Sequence, residues 1–244
     1  MKELVKDRAT NSVVLVTEYV KTPFKNFREL YASMRLYDVQ WYVYQLLKGL
    51  EEAHSKGIMH RDIKPHNVIV DPKERLLKII DWGLGEYYVP GMGFHVRVAS
   101  RFFKGPEILS NNNFYHYSLD LWSTGCVLAG IIFKREPFFR GKDNHDQLVR
   151  IARILGSHDV TTYFDKYKLR PDDEIREQMG RYKPKDWNRF IDTDNMEFAT
   201  PEAIDLLSKM LVINHQDRIT VTEAIAHPFF DDVREEYDDW LEER

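Results

Sequence analysis

The sequence of 244 residues is poor in cysteine and has no long apolar run. Its single cysteine, Cys126, cannot form an internal disulfide, and the histidines show no paired spacing with cysteine that would suit a zinc site. No apolar run approaches the ~20 residues of a membrane-spanning helix. Lys2 and Glu3 follow Met1, so no signal-like segment is seen. We therefore expect a protein of the cytoplasm or nucleus with no membrane contact.

No charge of one sign dominates either. The 35 lysines and arginines and the 39 aspartates and glutamates leave a net charge of -4, which argues against general affinity for nucleic acid. With 43% hydrophobic residues, the chain is long enough for one large globular unit or two small ones. Binding partners must therefore be predicted from local features.

The most informative local feature is the stretch 58–67, Ile-Met-His-Arg-Asp-Ile-Lys-Pro-His-Asn. Asp62, Lys64 and Asn67 offer a general base, a phosphate-directed cation and a metal-binding amide at the spacing that phosphoryl transfer uses. Taken alone, the pattern also fits a polar turn between a helix and a strand. We call residues 58–67 the catalytic loop.

The residues after this loop favour the chemical interpretation. A β-branched run at 68–70, a turn signal at Asp71 and Pro72, and an apolar run at 76–80 predict a hairpin. It ends in Asp81, the start of Asp-Trp-Gly, which predicts a second magnesium ligand beside Asn67.

Further along, Gly-Pro-Glu at 105–107 follows the two earlier motifs in an order typical of protein kinases. We call residues 81–107 the activation segment. The predicted fold is α+β, mainly helical and kinase-like, with a large C-lobe and only a remnant of the N-lobe β-sheet. Residues 1–21 are expected to hold that remnant and the hinge, 22–230 the C-lobe, and 231–244 an acidic tail.

Several blocks closely resemble the catalytic (alpha) subunit of casein kinase II: 57–62, 64–67, 81–84, 97–107, 137–139, 146–151 and 215–218. The Trp of Asp-Trp-Gly and the Gly of Gly-Pro-Glu are typical of that family, and the similarity runs from about Val13 to Phe230. The resemblance implies a kinase that uses ATP and Mg²⁺ to phosphorylate serine or threonine followed by acidic residues. Its protein partners would be acidic substrates.

Residues 4–20 predict two strands around a turn at 7–12. An ordinary buried strand pair explains the apolar run equally well. In a kinase, these would be the last strands of the small lobe, and Glu18 and Val20 would belong to the hinge that binds adenine. Ile69 and Ile80 would line the same nucleotide site.

The activation segment contains no serine or threonine between Gly83 and Arg97, so the usual phosphorylation switch on Arg61 has no acceptor there. The resemblance implies a constitutively active kinase. Arg97, Arg101 and Lys104 form a cation cluster without an acidic residue among them. Such a run also fits plain solvated surface.

The resemblance assigns these three cations to an acidic residue directly after the acceptor. It places Arg61 and His66 near a second acidic position.

Helices are predicted at 24–33, at 38–56 with Asp38 as cap and Gly57 as stop, at 118–134, 201–211 and 220–227. In kinases, the residue at Asp120 receives hydrogen bonds from the backbone of the catalytic loop, and Glu107 pairs with Arg218. The tail at 235–244 holds six carboxylates in ten residues, which favours a solvated or disordered segment.

The printed sequence has no Gly-x-Gly-x-x-Gly loop, strand lysine or helix glutamate before Leu4. The resemblance therefore implies a chain truncated at its N-terminus, and it implies a regulatory beta subunit only where the rest of the small lobe is present. Two hypotheses stay open: a serine/threonine kinase, or a catalytically impaired module that binds acidic segments. The set of Asp62, Lys64, Asn67 and Asp81 favours the kinase.

Overall fold

The computed structural model describes residues 2–243, which begin with an exposed antiparallel hairpin. Strands β1 (Glu3–Lys6) and β2 (Val13–Val16) pair so that Leu4 lies opposite Leu15. The predicted strands and turn are confirmed. All eight strand residues are exposed, so this is not an ordinary buried strand pair.

Helices are the main regular secondary structure of the remaining described chain. They are α1 (Phe27–Ser33), α2 (Leu36–Ser55), α3 (Pro106–Leu109), α4 (Ser118–Ile132), α5 (Asn144–Leu155), α6 (Ser157–Lys166), α7 (Asp173–Gln178), α8 (Pro201–Met210), α9 (Val221–Ile225) and α10 (Asp231–Glu242). Two further antiparallel pairs are short: β3 (Ile58–Met59) with β6 (Glu86–Tyr87), and β4 (Val68–Asp71) with β5 (Leu76–Ile79). The prediction of a mainly helical fold with little sheet is confirmed.

Helix α2 crosses the centre of the body and leads into the catalytic loop. It begins at Leu36, two residues before the predicted start, and Arg35 rather than Asp38 is its N-cap residue. Asp38 instead lies in the first turn, where its carboxylate accepts a hydrogen bond from the backbone N–H of Arg35 at 2.9 Å. The predicted stop is confirmed, because Gly57 has a φ of 79°, a conformation that favours glycine.

Helix α4 is buried along all 15 of its residues, as its apolar sequence predicted. It lies close to α8, since a Cβ added at Gly125 would come within 2.9 Å of the Met210 Cβ. This close approach explains why a helix interior tolerates a glycine here. The α4 backbone is therefore rigid, and it holds the polar side chains of this helix in fixed positions.

A buried ion pair joins the end of the activation segment to the body. Arg218 donates from Nη1 to Glu107 Oε1 at 2.8 Å and from Nη2 to Oε2 at 3.0 Å, and both side chains are fully buried. Burial alone would raise the pKa of Glu107, but the Arg218 guanidinium lowers it below its usual value. The predicted pair is confirmed.

The acidic tail was expected to be solvated or disordered. The disordered alternative is wrong, whereas the six carboxylates of 235–244 are exposed, as the solvated alternative predicted. Residues 231–242 form helix α10, in which Val233 is fully buried and Tyr237 is only 8% exposed. Trp240 lies edge-on to Trp41 of α2, with the ring centroids 5.7 Å apart. The apolar residues recur at helical spacing beneath the carboxylates, and their burial against α2 holds the tail in place.

Helix α10 also contacts the turn between β4 and β5. Glu236 accepts hydrogen bonds from the Arg75 guanidinium and from the Tyr37 hydroxyl. The Arg75 guanidinium lies over the Trp41 ring, 3.8 Å from its centroid. This contact fixes the hairpin turn to the helical body.

None of the helices within residues 2–243 combines the length and the apolar character that crossing a membrane would require.

We expect Arg218→Met to lower the free energy of unfolding by about 3–5 kcal/mol, because it leaves Glu107 buried without a cation. Lys56→Met is the matched control, since it breaks a pair with Glu52 whose side chains are 63% and 68% exposed. Urea denaturation of both variants provides the measurement. Similar losses in the two variants would contradict the special role of the buried pair.

Candidate active site

Buried Asp120 holds the start of the catalytic loop. Its carboxylate accepts hydrogen bonds from the backbone N–H groups of His60 and Arg61, both at 2.8 Å. The His54 ring of α2 lies 2.9 Å from the same carboxylate. The loop is therefore fixed between α2 and α4, as the sequence predicted for Asp120.

The electrostatic state of Asp120 follows from these contacts. Burial would raise the pKa of this carboxyl, but the hydrogen bonds from His54 and from the amides of His60 and Arg61 lower it below its usual value. Asp120 is thus a charged anchor for the backbone, and it lies beneath the loop rather than on the reacting side.

Asp62 lies on the other side of the loop, 6% exposed, and its carboxylate is surrounded by three polar groups. Lys64 Nζ lies 2.6 Å and Asn67 Nδ2 3.1 Å from Oδ2, while Ser100 Oγ donates to Oδ1 at 3.0 Å. An acceptor-only carboxylate in this position is able to take a proton from an approaching hydroxyl.

Ser100 was not among the predicted site residues. Its hydroxyl donates to Asp62 and accepts a hydrogen bond from Lys64 Nζ at 3.0 Å, so it bridges the proposed base and the proposed phosphate ligand. The residue before it, Ala99, has a φ of 59°, which is uncommon outside glycine. The sequence signal for Ser100 was a short hydroxyl side chain among three cations.

Asn67 and Asp81 are brought to neighbouring positions. The backbone N–H of Ile80 donates to the Asn67 carbonyl at 2.9 Å, so the residue that follows Ile80 lies beside Asn67. Asp81 is exposed and has a φ of 59°. Asn67 Nδ2 donates to the Asp62 carbonyl at 2.8 Å, which directs the amide oxygen away from Asp62.

Asn67 and Asp81 would supply only some of the ligands that a magnesium ion needs. Amide and carboxylate oxygens are ligands that Mg²⁺ accepts, and the ion usually completes its shell with water and substrate phosphates. Within residues 2–243, no cluster of three or more His, Cys, Asp or Glu residues forms a complete metal site. The residues present therefore fit a metal that arrives with a nucleotide.

The Asp-Trp-Gly motif is tied to the catalytic loop through His60. The His60 ring lies 3.1 Å from the carbonyl of Ile80 and accepts a hydrogen bond from the Asp62 backbone N–H at 3.2 Å. The Trp82 ring packs edge-on against His60, with centroids 4.6 Å apart. His60 thus couples the position of Asp81 to that of Asp62.

The predicted nucleotide-binding residues lie around the β4–β5 hairpin. Ile69 and Ile80 are half-buried, and Ile69 lies opposite Lys78 in the strand pair. Lys78 forms an ion pair with Glu18 at 3.2 Å, which brings the predicted hinge beside the hairpin. Val20 is half-buried as well. Ile69 and Ile80 thus belong to the hairpin and its end, Glu18 is tied to the hairpin by Lys78, and strands β1 and β2 are exposed.

The predicted substrate-binding cations lie on either side of Ser100 in the activation segment. Arg97 and Arg101 are exposed, and Lys104 is half-buried. Burial and the neighbouring Arg101 both lower the pKa of Lys104, as expected for cations without a counter-charge. Arg101 donates to the backbone carbonyl of Lys142, a neutral partner. His66, in the catalytic loop, is exposed too.

Arg61 is placed differently from this group. It is 7% exposed, and its guanidinium donates to the Leu84 carbonyl at 2.7 Å and to the Tyr115 hydroxyl at 3.2 Å. Glu86 lies 3.6 Å from Nη2. The structure therefore brings Arg61 to the activation segment, beneath the surface on which the other cations lie.

We expect Asp120→Asn to lower the free energy of unfolding by about 1–3 kcal/mol at neutral pH, since the loop amides and His54 lose a charged acceptor. The pKa of Asp120 is lowered in the folded state, so its contribution is complete above the usual value of 3.8 and is lost as the pH falls through the folded-state value. The gap between variant and wild type should therefore close in acid.

Urea denaturation between neutral pH and pH 3 measures this gap. Asp173→Asn is the control, because the Asp173 side chain is 93% exposed. A gap for Asp120→Asn that does not depend on pH would show that the charge of Asp120 is not what holds the loop.

A comparison with protein families agrees with this geometry. The family profile described as the protein kinase domain matches residues 1–230. The match covers the hairpin, the catalytic loop, the activation segment and the helical body up to the start of α10. The chain therefore belongs to the protein kinase domain family.

Proposed function

We propose that this chain is the catalytic part of a serine/threonine kinase that transfers the γ-phosphate of ATP to residues followed by acidic side chains. The observation that carries the proposal is the grouping of Asp62, Lys64 and Asn67 in one loop, with Asp81 at the adjoining strand end. These groups supply a base, a phosphate ligand and two metal ligands, the parts that phosphoryl transfer needs.

Each residue has a distinct task in this proposal. Asp62 accepts the proton of the substrate hydroxyl as its oxygen bonds to the γ-phosphorus and the bond to ADP breaks. Lys64 neutralises the charge of the transferring phosphoryl. Asn67 and Asp81 would hold Mg²⁺, which when bound neutralises the phosphate oxygens. Ser100 positions Asp62 and Lys64 before substrate arrives.

The proposed constitutive activity is supported by the contacts of Arg61. In a kinase that is switched by phosphorylation, the new phosphate orders the activation segment by pairing with an arginine. Here the Arg61 guanidinium already forms hydrogen bonds with Leu84 and Tyr115 and an ion pair with Glu86. The segment is therefore ordered by internal partners, and no phosphate is needed.

The proposed preference for acidic substrates is supported by Arg97, Arg101 and Lys104. In the described part of the chain these side chains form no ion pair. They lie next to Ser100, which contacts the proposed base. The similarity to casein kinase II gives the same assignment, an acidic residue directly after the acceptor.

A second candidate function is a module that binds acidic segments without efficient catalysis. One observation favours it: all eight residues of β1 and β2, the strands that would cover a bound nucleotide, are exposed. A nucleotide enclosed on one side only would bind weakly. Both candidate functions use the cations Arg97, Arg101 and Lys104 to bind acidic segments. They differ in whether phosphate is transferred.

We expect Asp62→Asn to lower turnover by roughly 10²–10⁴-fold, because the substrate hydroxyl loses its general base. The measurement is peptide phosphorylation by the chain joined to a small lobe that carries a glycine-rich loop and a strand lysine. Asp71→Asn is the control, since this residue lies beyond the loop in β4.

An unchanged rate in Asp62→Asn would refute the mechanism. If the parent protein with its small lobe transfers no phosphate but still binds acidic peptides, the binding module becomes the better account of the chain.

We expect peptides with Glu directly after the acceptor serine to bind more tightly than peptides with Gln there, through charge-assisted hydrogen bonds that contribute about 1.5–3 kcal/mol at best. Arg97→Gln with Arg101→Gln should remove most of this preference, and added salt should weaken it. Fluorescence anisotropy with labelled peptides measures the affinities. A preference for Pro at that position would contradict the proposed specificity.

A further inference from the structure

A cavity that shares no residue with the proposed active site lies between α1 and the end of α4. Its volume is about 320 Å³, within the range of small-molecule sites. Apolar and charged side chains both line it, among them Tyr31, Ile131 and Phe198, and Arg28, Lys134 and Glu136. Apolar walls with a few charged groups are typical of a ligand site.

The Glu136 carboxylate of this cavity has no partner within residues 2–243. Its Oε2 atom is buried and accepts no hydrogen bond. A Cβ added at Gly130 would overlap with this oxygen, so the glycine of α4 makes room for the carboxylate. Buried carboxylates normally find donors or a cation, and one that lacks both needs an explanation.

The cations nearest to Glu136 do not balance its charge. Burial raises the pKa of Glu136 to about 7, and the exposed Arg28 opposes this only in part. The Nζ atom of Lys134 lies over the Phe198 ring, 5.0 Å from its centroid, and forms no ion pair with Glu136 in the described chain. The cavity therefore holds a carboxylate whose counter-charge is missing.

A bound organic cation would supply this counter-charge. An amidinium group is able to donate two parallel N–H bonds to one carboxylate, and the aromatic side chains of Tyr31 and Phe198 suit a flat cation. Arg28 and Lys134 would repel such a ligand, but both are exposed, so water and salt screen them. Glu136 acts at short range in a setting that water screens less.

We propose that this cavity binds a small organic cation, with an amidinium or similar group on Glu136 and an aromatic body against Tyr31, Ile131 and Phe198. The ligand replaces the proton that a buried carboxyl otherwise retains. The site is separate from phosphate transfer, because none of the residues assigned to that chemistry lines the cavity.

Isothermal titration calorimetry of the chain as printed tests this site without any need for catalysis. Benzamidine is the cationic probe, and benzamide is a neutral molecule of similar shape. At pH 8 we expect benzamidine to bind roughly tenfold more tightly than benzamide, and Glu136→Gln to remove this difference. Gln keeps the shape of the side chain and removes a buried charge, so the variant should stay folded. Lys134→Gln should tighten benzamidine binding about two- to threefold, since it removes a like charge.

The pH dependence gives an independent readout. Benzamidine stays protonated and binds the ionised carboxylate, so its affinity should fall about tenfold from pH 8 to pH 6 in the parent and stay constant in Glu136→Gln. Burial, together with the charge of Glu136, raises the pKa values of Tyr31 and Cys126, so neither titrates in this range. Arg28 and Lys134 are of residue types that keep their charge there.

Glu197→Gln is the matched control, because Glu197 is exposed and precedes Phe198 in the chain but does not line the cavity. The inference is overturned if the parent does not bind benzamidine, if Glu136→Gln binds it as tightly as the parent at pH 8, or if the control variant shows an equal loss. N-acetylarginine amide carries a guanidinium without an aromatic body and should bind more weakly than benzamidine. Tighter binding of this compound would overturn the assignment of an aromatic ligand.

Discussion

The hydrogen bonds to Asp120 fix the position of the whole site. A fully buried carboxylate must find donors, and here the backbone of His60 and Arg61 supplies two of them. Helix α4, which carries Asp120, is buried on every side. Because the loop is bonded to this helix, it is held as rigidly as the core. Asp62, the next residue, is positioned by the hydrogen bonds of its two neighbours, and this would keep it in place for the proposed role as a base.

The activation segment is fixed by two contacts near its start and by one at its end. His60 holds the strand end before Asp81, Arg61 binds the carbonyl of Leu84, and the Glu107–Arg218 pair anchors the last turn. Each fixed point uses a buried or half-buried polar group with its partners in place, so the segment has few alternatives of similar energy. Arg97, Arg101 and Lys104 lie between these fixed points, so the backbone that carries them is held rigidly.

Periodicity and turn signals predicted helices α1, α2, α4, α8 and α9 and the two hairpins, and the resemblance to kinases supplied the Asp120 anchor and the Glu107–Arg218 pair. Helices α3, α5, α6 and α7 were not predicted. Ser100 was missed, since its role depends on a contact with Asp62, 38 residues away in the chain, and a single hydroxyl leaves no pattern. Helix α10 was missed for another reason. Its six carboxylates in 235–244 suggested a solvated tail, although Val233 and Tyr237 already followed helical spacing.

The contact between Arg75 and Glu236 has a consequence for the order of folding during synthesis. The two residues are 161 positions apart in the chain, so the turn between β4 and β5 obtains this partner only after residues 231–242 have left the ribosome. Until then, the hairpin that carries Ile69 has its contacts with α2 but not those with α10. This hairpin is thus among the first parts of the body to be made and among the last to be completed.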